Sequence, residues 1–273
     1  MTIIHDFPAP QKPLVMHRPE HLAGLRTILA LMLREMATTY GRSPLGYLWA
    51  IIEPVAAIAL LSLVFSAFAH NPGLGVSFAI YYATGMIPFI IYTSVSNKIA
   101  ACLLFSKPLL AYPRVTYMDA ILARFLTNML TEVMVTYIVF TSLLLIYNDH
   151  TSVNLPVIAL SIALTGVLAL GLGILNCFLT TLLPAWQRAW SILMRPLFLL
   201  SCIIFLFESV PQPYRDWLWF NPLIHVVGLM RRGFYPGYDA SYVSVGYVLG
   251  VSGVCAMIGL VFLRRYHRDL LES

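Results

Sequence analysis

An all-α integral membrane protein with six transmembrane helices is the fold class the sequence predicts, and three observations predict it. Of 273 residues, 59% are hydrophobic and only 11% charged, against roughly 25% charged in an ordinary soluble domain, and the mean hydropathy is +0.80. The missing charge is concentrated, because residues 54 to 97, 150 to 187 and 240 to 263 contain no Asp, Glu, Lys or Arg. The basic residues then fall mostly on one side of the topology those runs define. This composition excludes a soluble globular enzyme, and six spans of about 20 residues use about 120 residues, leaving loops but no second globular domain.

Residues 1–43 read as a cytoplasmic N-terminal segment. No apolar stretch of signal-peptide length precedes Arg18, Glu20, Arg26 and Arg34. Leu22, Leu25, Leu29, Met32 and Met36 recur at steps of three and four, with Arg26 and Arg34 on the other side. The spacing predicts an amphipathic helix, either lying in the membrane interface or packed on the protein's own cytoplasmic side. Ser43 and Pro44 read as N-cap and first helical residue of the first span.

The membrane unit covers 44–263. The first charge-free run breaks at His70-Asn71-Pro72-Gly73, a turn signal, and yields spans at about 44–69 and 77–97. Further spans are expected at about 120–147, 154–183, 190–208 and 242–263, with 264–273 as a cytoplasmic tail. The fifth is abnormal: only residues 196 to 207 separate Arg195 from Glu208, a length that marks a broken or re-entrant element. Pro211, Pro213, Pro222 and Pro236 then interrupt the apolar strings Trp217 to Phe220 and Leu223 to Met230. Residues 212–235 are expected to form a short helical hairpin dipping into the outer leaflet as a gate, since irregular backbone at that depth needs protein or a hydrated cavity around it.

Six spans put both termini on one side. Fourteen of 17 basic residues then lie inside, and Arg215, Arg231 and Arg232 lie outside, the bias the positive-inside rule requires. The net charge of +5 is a topology signal and implies no nucleic-acid partner.

Chemistry-bearing motifs are sparse. Cys102, Cys177, Cys202 and Cys255 are scattered without a close pair, and the seven histidines show no ligand spacing, so no metal site is expected. No Gly-x-x-x-x-Gly-Lys, His-Glu-x-x-His or Gly-x-Ser-x-Gly is present; the chain has no phosphate loop with which to hydrolyse ATP. Arg124, Asn128 and Glu132 fall at steps of four in the third span, forming a polar stripe that either braces the bundle or borders a hydrated path. Gly246 and Gly250 open the last span as a Gly-x-x-x-Gly pair, a hint of close packing within the chain.

The string Tyr40-Gly41-Arg42-Ser43-Pro44-Leu45-Gly46-Tyr47-Leu48-Trp49 with Glu53-Pro54 resembles the start of permease subunits of ABC transporters that export capsular polysaccharide and O antigen, the ABC transmembrane type-2 family. Phe220-Asn221-Pro222-Leu223, Arg231-Arg232-Gly233 and Tyr235-Pro236 resemble that family's region before the last span. The likeness covers almost the whole chain, and capsule-export permeases of Gram-negative bacteria match best.

That resemblance implies a multi-pass inner-membrane permease with both termini cytoplasmic. It would form a homodimer, with its dimer contact at the first and fifth spans, and be driven by two copies of a separate ATPase subunit that holds ATP and magnesium. Further expected partners are the polysaccharide, membrane lipid, and periplasmic and outer-membrane export components. Lys107, Pro108 and Arg114, between spans two and three, are then candidates for ATPase contact or simply a solvated loop. Arg42, Trp49 and Glu53 are candidates for the cytoplasmic entrance; Glu53 stands about 14 Å along the helix from Pro44, within reach of an arginine there. Phe78, Tyr81, Tyr82, Phe89 and Tyr92 share a broad face of the second span, on which the C–H faces of sugar rings can slide; aromatics at span ends are equally interfacial anchors. Arg231 and Arg232 either attract an acidic polymer or pair with Glu208, Asp216 or Asp239.

The expected function is export of an acidic, lipid-linked capsular polysaccharide by a non-enzymatic permease. O-antigen, teichoic-acid-type, small-lipid and drug permeases share the topology. A secondary transporter is disfavoured because the two halves show no internal repeat, and a membrane-embedded hydrolase because the polar stripe is too sparse.

Overall fold

The computed structural model describes residues 20–39, 46–68, 71–110, 116–147 and 153–272, and among these the chain is helical with no strand. Ten α-helices follow in order: α1 (Glu20–Thr39), α2 (Gly46–Phe68), α3 (Phe78–Ala100), α4 (Cys102–Leu110), α5 (Tyr117–Tyr147), α6 (Leu155–Leu182), α7 (Pro184–Leu200), α8 (Tyr214–Trp219), α9 (Pro222–Phe234) and α10 (Val245–Glu272). Five of them, α2, α3, α5, α6 and α10, are long and apolar enough to cross a membrane, and they coincide with five of the six expected spans. The Ser43–Pro44 start signal lies outside the described residues.

Starts are set by local chemistry. Ser77 is extended and its hydroxyl accepts the Ile80 N–H at 3.5 Å, opening α3. Asn154 Oδ1 accepts the Val157 N–H at 3.4 Å ahead of Pro156, opening α6. Asn221 Oδ1 accepts the Leu223 N–H at 3.0 Å with Pro222 as the first residue of α9. Each cap answers an orphan donor of a helix's first turn, and proline costs nothing where no N–H is needed.

The expected fifth span at 190–208 is not one continuous helix. α7 starts six residues earlier, at Pro184, and ends at Leu200. Its 17 residues reach about 25 Å, short of an apolar core about 30 Å thick. Residues 201–206 then run without helix to a single 3-10 turn at Phe207–Ser209. Three contacts trace the path. Trp186 Nε1 donates to Asn176 Oδ1 near the C-terminal end of α6 at 3.0 Å. The Phe198 ring meets Phe89, midway along α3, at 5.3 Å, and Ile204 reaches Tyr81, in the first turn of α3. α7 and the unwound stretch together carry the chain from the α6 C-terminal end back to the α3 N-terminal end.

α3 and α6 are the inner helices, buried along most of their length, while α2 and α10 are largely exposed. The exposed surface is apolar, with Leu60 and Leu63 on α2, Leu130 and Tyr137 on α5, and Met257 and Val261 on α10, as suits a protein whose surroundings are lipid. Gly246 and Gly250 meet nothing within 4 Å, so they do not carry the intrachain packing expected of them. That role belongs to Gly259, where a Cβ would stand 2.8 Å from the Leu175 nitrogen, and to Gly171, which lies against the Ser252 backbone. Here α6 and α10 approach backbone to backbone, as small residues allow. The expected tail continues α10 as helix through Glu272.

α1 packs beside α5 with Ile28, Leu31, Met32 and Glu35 half-buried, whereas Leu25, Leu29 and Met36 of the expected apolar face are exposed. One face meets the protein and an adjoining apolar face is free.

Candidate functional site

Three successive carbonyls of the unwound stretch are held by side chains from other helices. Ser201 closes α7, its hydroxyl donating to Leu197 O at 2.6 Å, and Cys202 turns left-handed with φ of 55°, a conformation uncommon outside glycine. Arg231 of α9, with no solvent exposure, donates from Nη2 to Ile203 O at 2.8 Å and from Nη1 to Phe205 O at 3.1 Å. The Tyr81 hydroxyl donates to Ile204 O at 3.3 Å, and the Arg231 guanidinium lies 4.7 Å over the Tyr81 ring. Gly85 makes room: a Cβ there would stand 3.1 Å from the Ile203 Cα and carbonyl oxygen. Asn221 Nδ2 adds bonds to Leu200 O and Ser201 Oγ at 3.1 and 3.2 Å. Buried backbone left unpaired by the helix break is thereby satisfied.

Arg231 is consequently neither displayed to a polymer nor paired with Glu208, Asp216 or Asp239, and among the described residues it makes no ion pair. Its neighbour Arg232 is exposed and borders a groove of about 580 Å³ with Pro236 and the first residues of α6.

Beside this clamp lies an aromatic cluster that sequence reading did not single out. His225 Nδ1 accepts the Ser244 N–H at 3.2 Å, which leaves Nε2 to carry the proton and donate to Trp219 O at 3.0 Å. Trp219 meets His225 edge-on at 5.1 Å and Tyr247 at 4.9 Å, and its Nε1 donates to Tyr242 O at 3.1 Å. The Tyr238 hydroxyl donates to Glu208 at 3.0 Å and lies 3.1 Å from that of Tyr242. Burial raises the Tyr238 phenol far above its ordinary range, with Tyr242 and Glu208 adding to the effect, so it stays protonated as the donor. The cluster ties α8, α9 and the 235–244 loop into one unit. Its sequence signal is the recurrence of Trp219, Tyr238, Tyr242 and Tyr247 around Asn221-Pro222.

The expected path residues divide. Phe78, Tyr81 and Tyr82 come together, Tyr82 meeting Phe78 at 6.4 Å, Tyr81 at 5.1 Å and Phe65 of α2 at 5.3 Å. Phe89 and Tyr92 lie deeper, against other partners. Tyr81, Tyr82, Phe89 and Tyr92 are all enclosed by the chain's own helices, while Phe78 keeps part of its surface open.

At the opposite end, Trp49 and Glu53 are both exposed on α2, one helical turn apart, and Glu53 has no arginine at ion-pair distance among the described residues. Arg42 and Arg114 lie outside the described residues, and Lys107 and Pro108 fall near the end of α4. The polar stripe of α5 braces the bundle at two points. Arg124 pairs with Glu35 of α1 at 2.9 Å, and Glu132 meets the Ser94 hydroxyl of α3. Asn128 Nδ2 turns back to Arg124 O at 2.7 Å. Glu35 escaped sequence reading because its partner is 89 residues away.

Among the described residues no group of three or more His, Cys, Asp or Glu is placed to hold a metal. The arrangement offers buried braces at both ends of an apolar bundle.

Comparison with known proteins agrees along the chain. The model of the ABC-2 type transporter family matches residues 26–235. The polysialic acid transport protein KpsM of Escherichia coli is 34% identical over 248 residues, 90% of this chain and 96% of KpsM. The capsule polysaccharide export inner-membrane protein CtrC of Neisseria meningitidis serogroup A is 23% identical over 93% of this chain and 98% of its own length. For BexB of Haemophilus influenzae, also a capsule polysaccharide export inner-membrane protein, identity is 24%, with 90% and 92% covered. With a family match across most of its helices and a relative this similar from end to end, the chain belongs to the ABC-2 type transporter family.

Proposed function

We propose that this chain is the channel-forming permease subunit of an ATP-driven exporter that moves a capsular polysaccharide, acidic and lipid-linked, across the inner membrane. The observation that carries the reading is the 34% identity to a polysialic acid transport protein over 90% of this chain and 96% of that relative. Two copies form the conduit, and a separate subunit binds ATP with magnesium and hydrolyses it, since the sequence has no phosphate loop. Both termini face the cytoplasm and the chain crosses six times, with α7 and the unwound 201–206 stretch as the fifth crossing. In favour of this path are the contacts that lead from Asn176 through Phe89 to Tyr81.

In this arrangement α8 and α9 form the re-entrant hairpin on the periplasmic side and shape the exit. Arg232 and Phe78 offer open surface to the polymer, Arg232 by charge in a partly enclosed groove and Phe78 by its ring face. Tyr81 and Arg231 brace the exit from behind. α1 lies at the cytoplasmic interface with Leu25, Leu29 and Met36 toward lipid, a role consistent with their exposure. The end of α4, with Lys107 and Pro108, and the loop after it meet the ATPase, and Trp49 and Glu53 flank the entrance. Periplasmic and outer-membrane components receive the polymer.

Copurification of the tagged chain with an untagged ATPase subunit, followed by polymer-stimulated ATP hydrolysis, tests the proposal. Association with hydrolysis that rises on adding the polysaccharide is the expected result. A chain that retains no ATPase in mild detergent defeats it.

A further inference from the structure

One side chain at the α4 end of the bundle touches three other elements. Arg124, in the second turn of α5, donates from Nε to Glu35 Oε1 of α1 at 2.9 Å and from Nη1 to Lys98 O of α3 at 3.3 Å. Its guanidinium carbon lies 5.0 Å from the ring centroid of Phe105 on α4. The Arg124 and Glu35 side chains are only 12% and 20% exposed, so the pair is poorly screened and neither charge is readily released to water.

The position of the Lys98 contact matters. α3 ends at Ala100, and the turn into α4 is a single residue, Ala101, whose N–H returns to Asn97 O at 3.1 Å. Lys98 O therefore belongs to the C-terminal turn of α3, where carbonyls point outward with partial negative charge and a cation is favoured. One face of the guanidinium fork sits on the helix before the bend, and its flat surface stacks on the helix after it. The remaining donor reaches α1. Only a planar, multiply donating cation makes all three contacts at once, and a lysine does not.

We propose that Arg124 is a positioning residue that fixes the α3–α4 bend and the docking of α1 as one unit, so that displacement of α4 is passed to α1 and α5 together. The inference rests on the reading of α4 as the ATPase-facing element. Under it, the mechanical stroke of the motor enters at α4 and is spread by a single guanidinium to the amphipathic helix and to a membrane span. Without that fork, α4 tilts on its own: ATP is still hydrolysed, but the bundle does not follow.

The test uses the complete complex of permease and ATPase, comparing Arg124→Lys, Phe105→Leu and Glu35→Gln with the wild-type chain at matched membrane abundance. Surface polysaccharide is measured in cells, and ATP hydrolysis on the purified complexes. Arg124→Lys and Phe105→Leu are expected to keep the ATPase bound and hydrolysing within about twofold of wild type, while export relative to hydrolysis falls about fivefold or more. Glu35→Gln, whose amide oxygen still accepts from Nε, is expected to lower that ratio only about twofold. A purely structural role moves abundance and leaves this ratio alone. Wild-type ratios in both Arg124→Lys and Phe105→Leu overturn the proposal. If Arg124→Lys does not accumulate, Phe105→Leu decides the matter, because Phe105 is 67% exposed and its removal leaves the core intact. A wild-type chain that binds no ATPase defeats the underlying reading, an outcome visible before any variant is compared.

Discussion

Arg231 and Arg232 are adjacent in α9, and the helical step of about 100° per residue sends them into opposite surroundings. Arg231 closes two backbone carbonyls in the core, whereas Arg232 opens onto a groove. Arg231→Gln removes the fork and leaves buried carbonyls unpaired, at about 2 to 4 kcal/mol; a clear fall in the melting temperature of the detergent-solubilised protein and in membrane abundance is expected. Arg232→Gln is expected to change stability by less than about 0.5 kcal/mol but to reduce surface display of an acidic polymer. Equal loss of stability in the two variants contradicts this division. Tyr81 separates two contributions of its own. Tyr81→Phe deletes only the bond to Ile204 O and should cost about 1 kcal/mol. Tyr81→Leu also removes the ring beneath the guanidinium and should cost about 1 to 2 kcal/mol more. The same melting assay orders the three proteins. In sequence the two arginines are indistinguishable, since both read as basic residues on the outer side. Only the carbonyls exposed by a helix break some 28 residues away decide which one turns inward.

Elements were legible where one physical signal dominates. The charge-free runs 54–97, 150–187 and 240–263 contain most of α2, α3, α6 and α10, because a charge in hydrocarbon is costly wherever it falls. α7 was harder to read. Arg188 and Arg195 interrupt its hydropathy, and its start is set by Pro184 rather than by the end of a polar loop. Its early end was nevertheless visible in the short interval between Arg195 and Glu208. Helix pairing was misread through glycine spacing, since Gly246 and Gly250 form the more recognisable motif but point away from α6. Gly259→Ala is accordingly expected to force α6 and α10 apart and to destabilise by about 1 to 3 kcal/mol, in the range of overpacked cores. Gly246→Ala and Gly250→Ala should be neutral or slightly stabilising, because alanine is the better helix former by about 1 kcal/mol or less. Thermal melts of the three variants check this, and a Gly259→Ala protein as stable as the wild type removes the close-approach account.

At the scale of the whole molecule, the number of crossings turns on residues 184 to 244. If α7 did not cross, α8 and α9 would share a side with the C-terminal end of α6, and α10 would run in the opposite direction. The internal contacts oppose that arrangement. Asn154 N–H donates to Gly233 O at 2.8 Å, which puts the end of α9 beside the start of α6, and Ile204 sits at the start of α3. In the six-crossing arrangement Arg188, near the start of α7, falls on the side that collects most basic residues, whereas Arg195, one turn before Phe198, lies deeper along the helix than the sequence reading placed it. The long-range braces were not legible, because a pairing such as Glu35 with Arg124 leaves no local trace. The five long apolar helices were, because the placement of charge is a property of the whole chain. Cysteines introduced at two exposed positions, Gln187 at the start of α7 and Asp216 on α8, distinguish the two cases. Three of the four native thiols are buried, and the wild-type chain sets the background. A membrane-impermeant maleimide applied to cells with a permeabilised outer membrane is expected to label Asp216→Cys directly. Gln187→Cys should react only after the inner membrane is opened. Equal reactivity at both positions before opening would mean that α7 and the 201–206 stretch do not cross, and the six-crossing arrangement would fall with it.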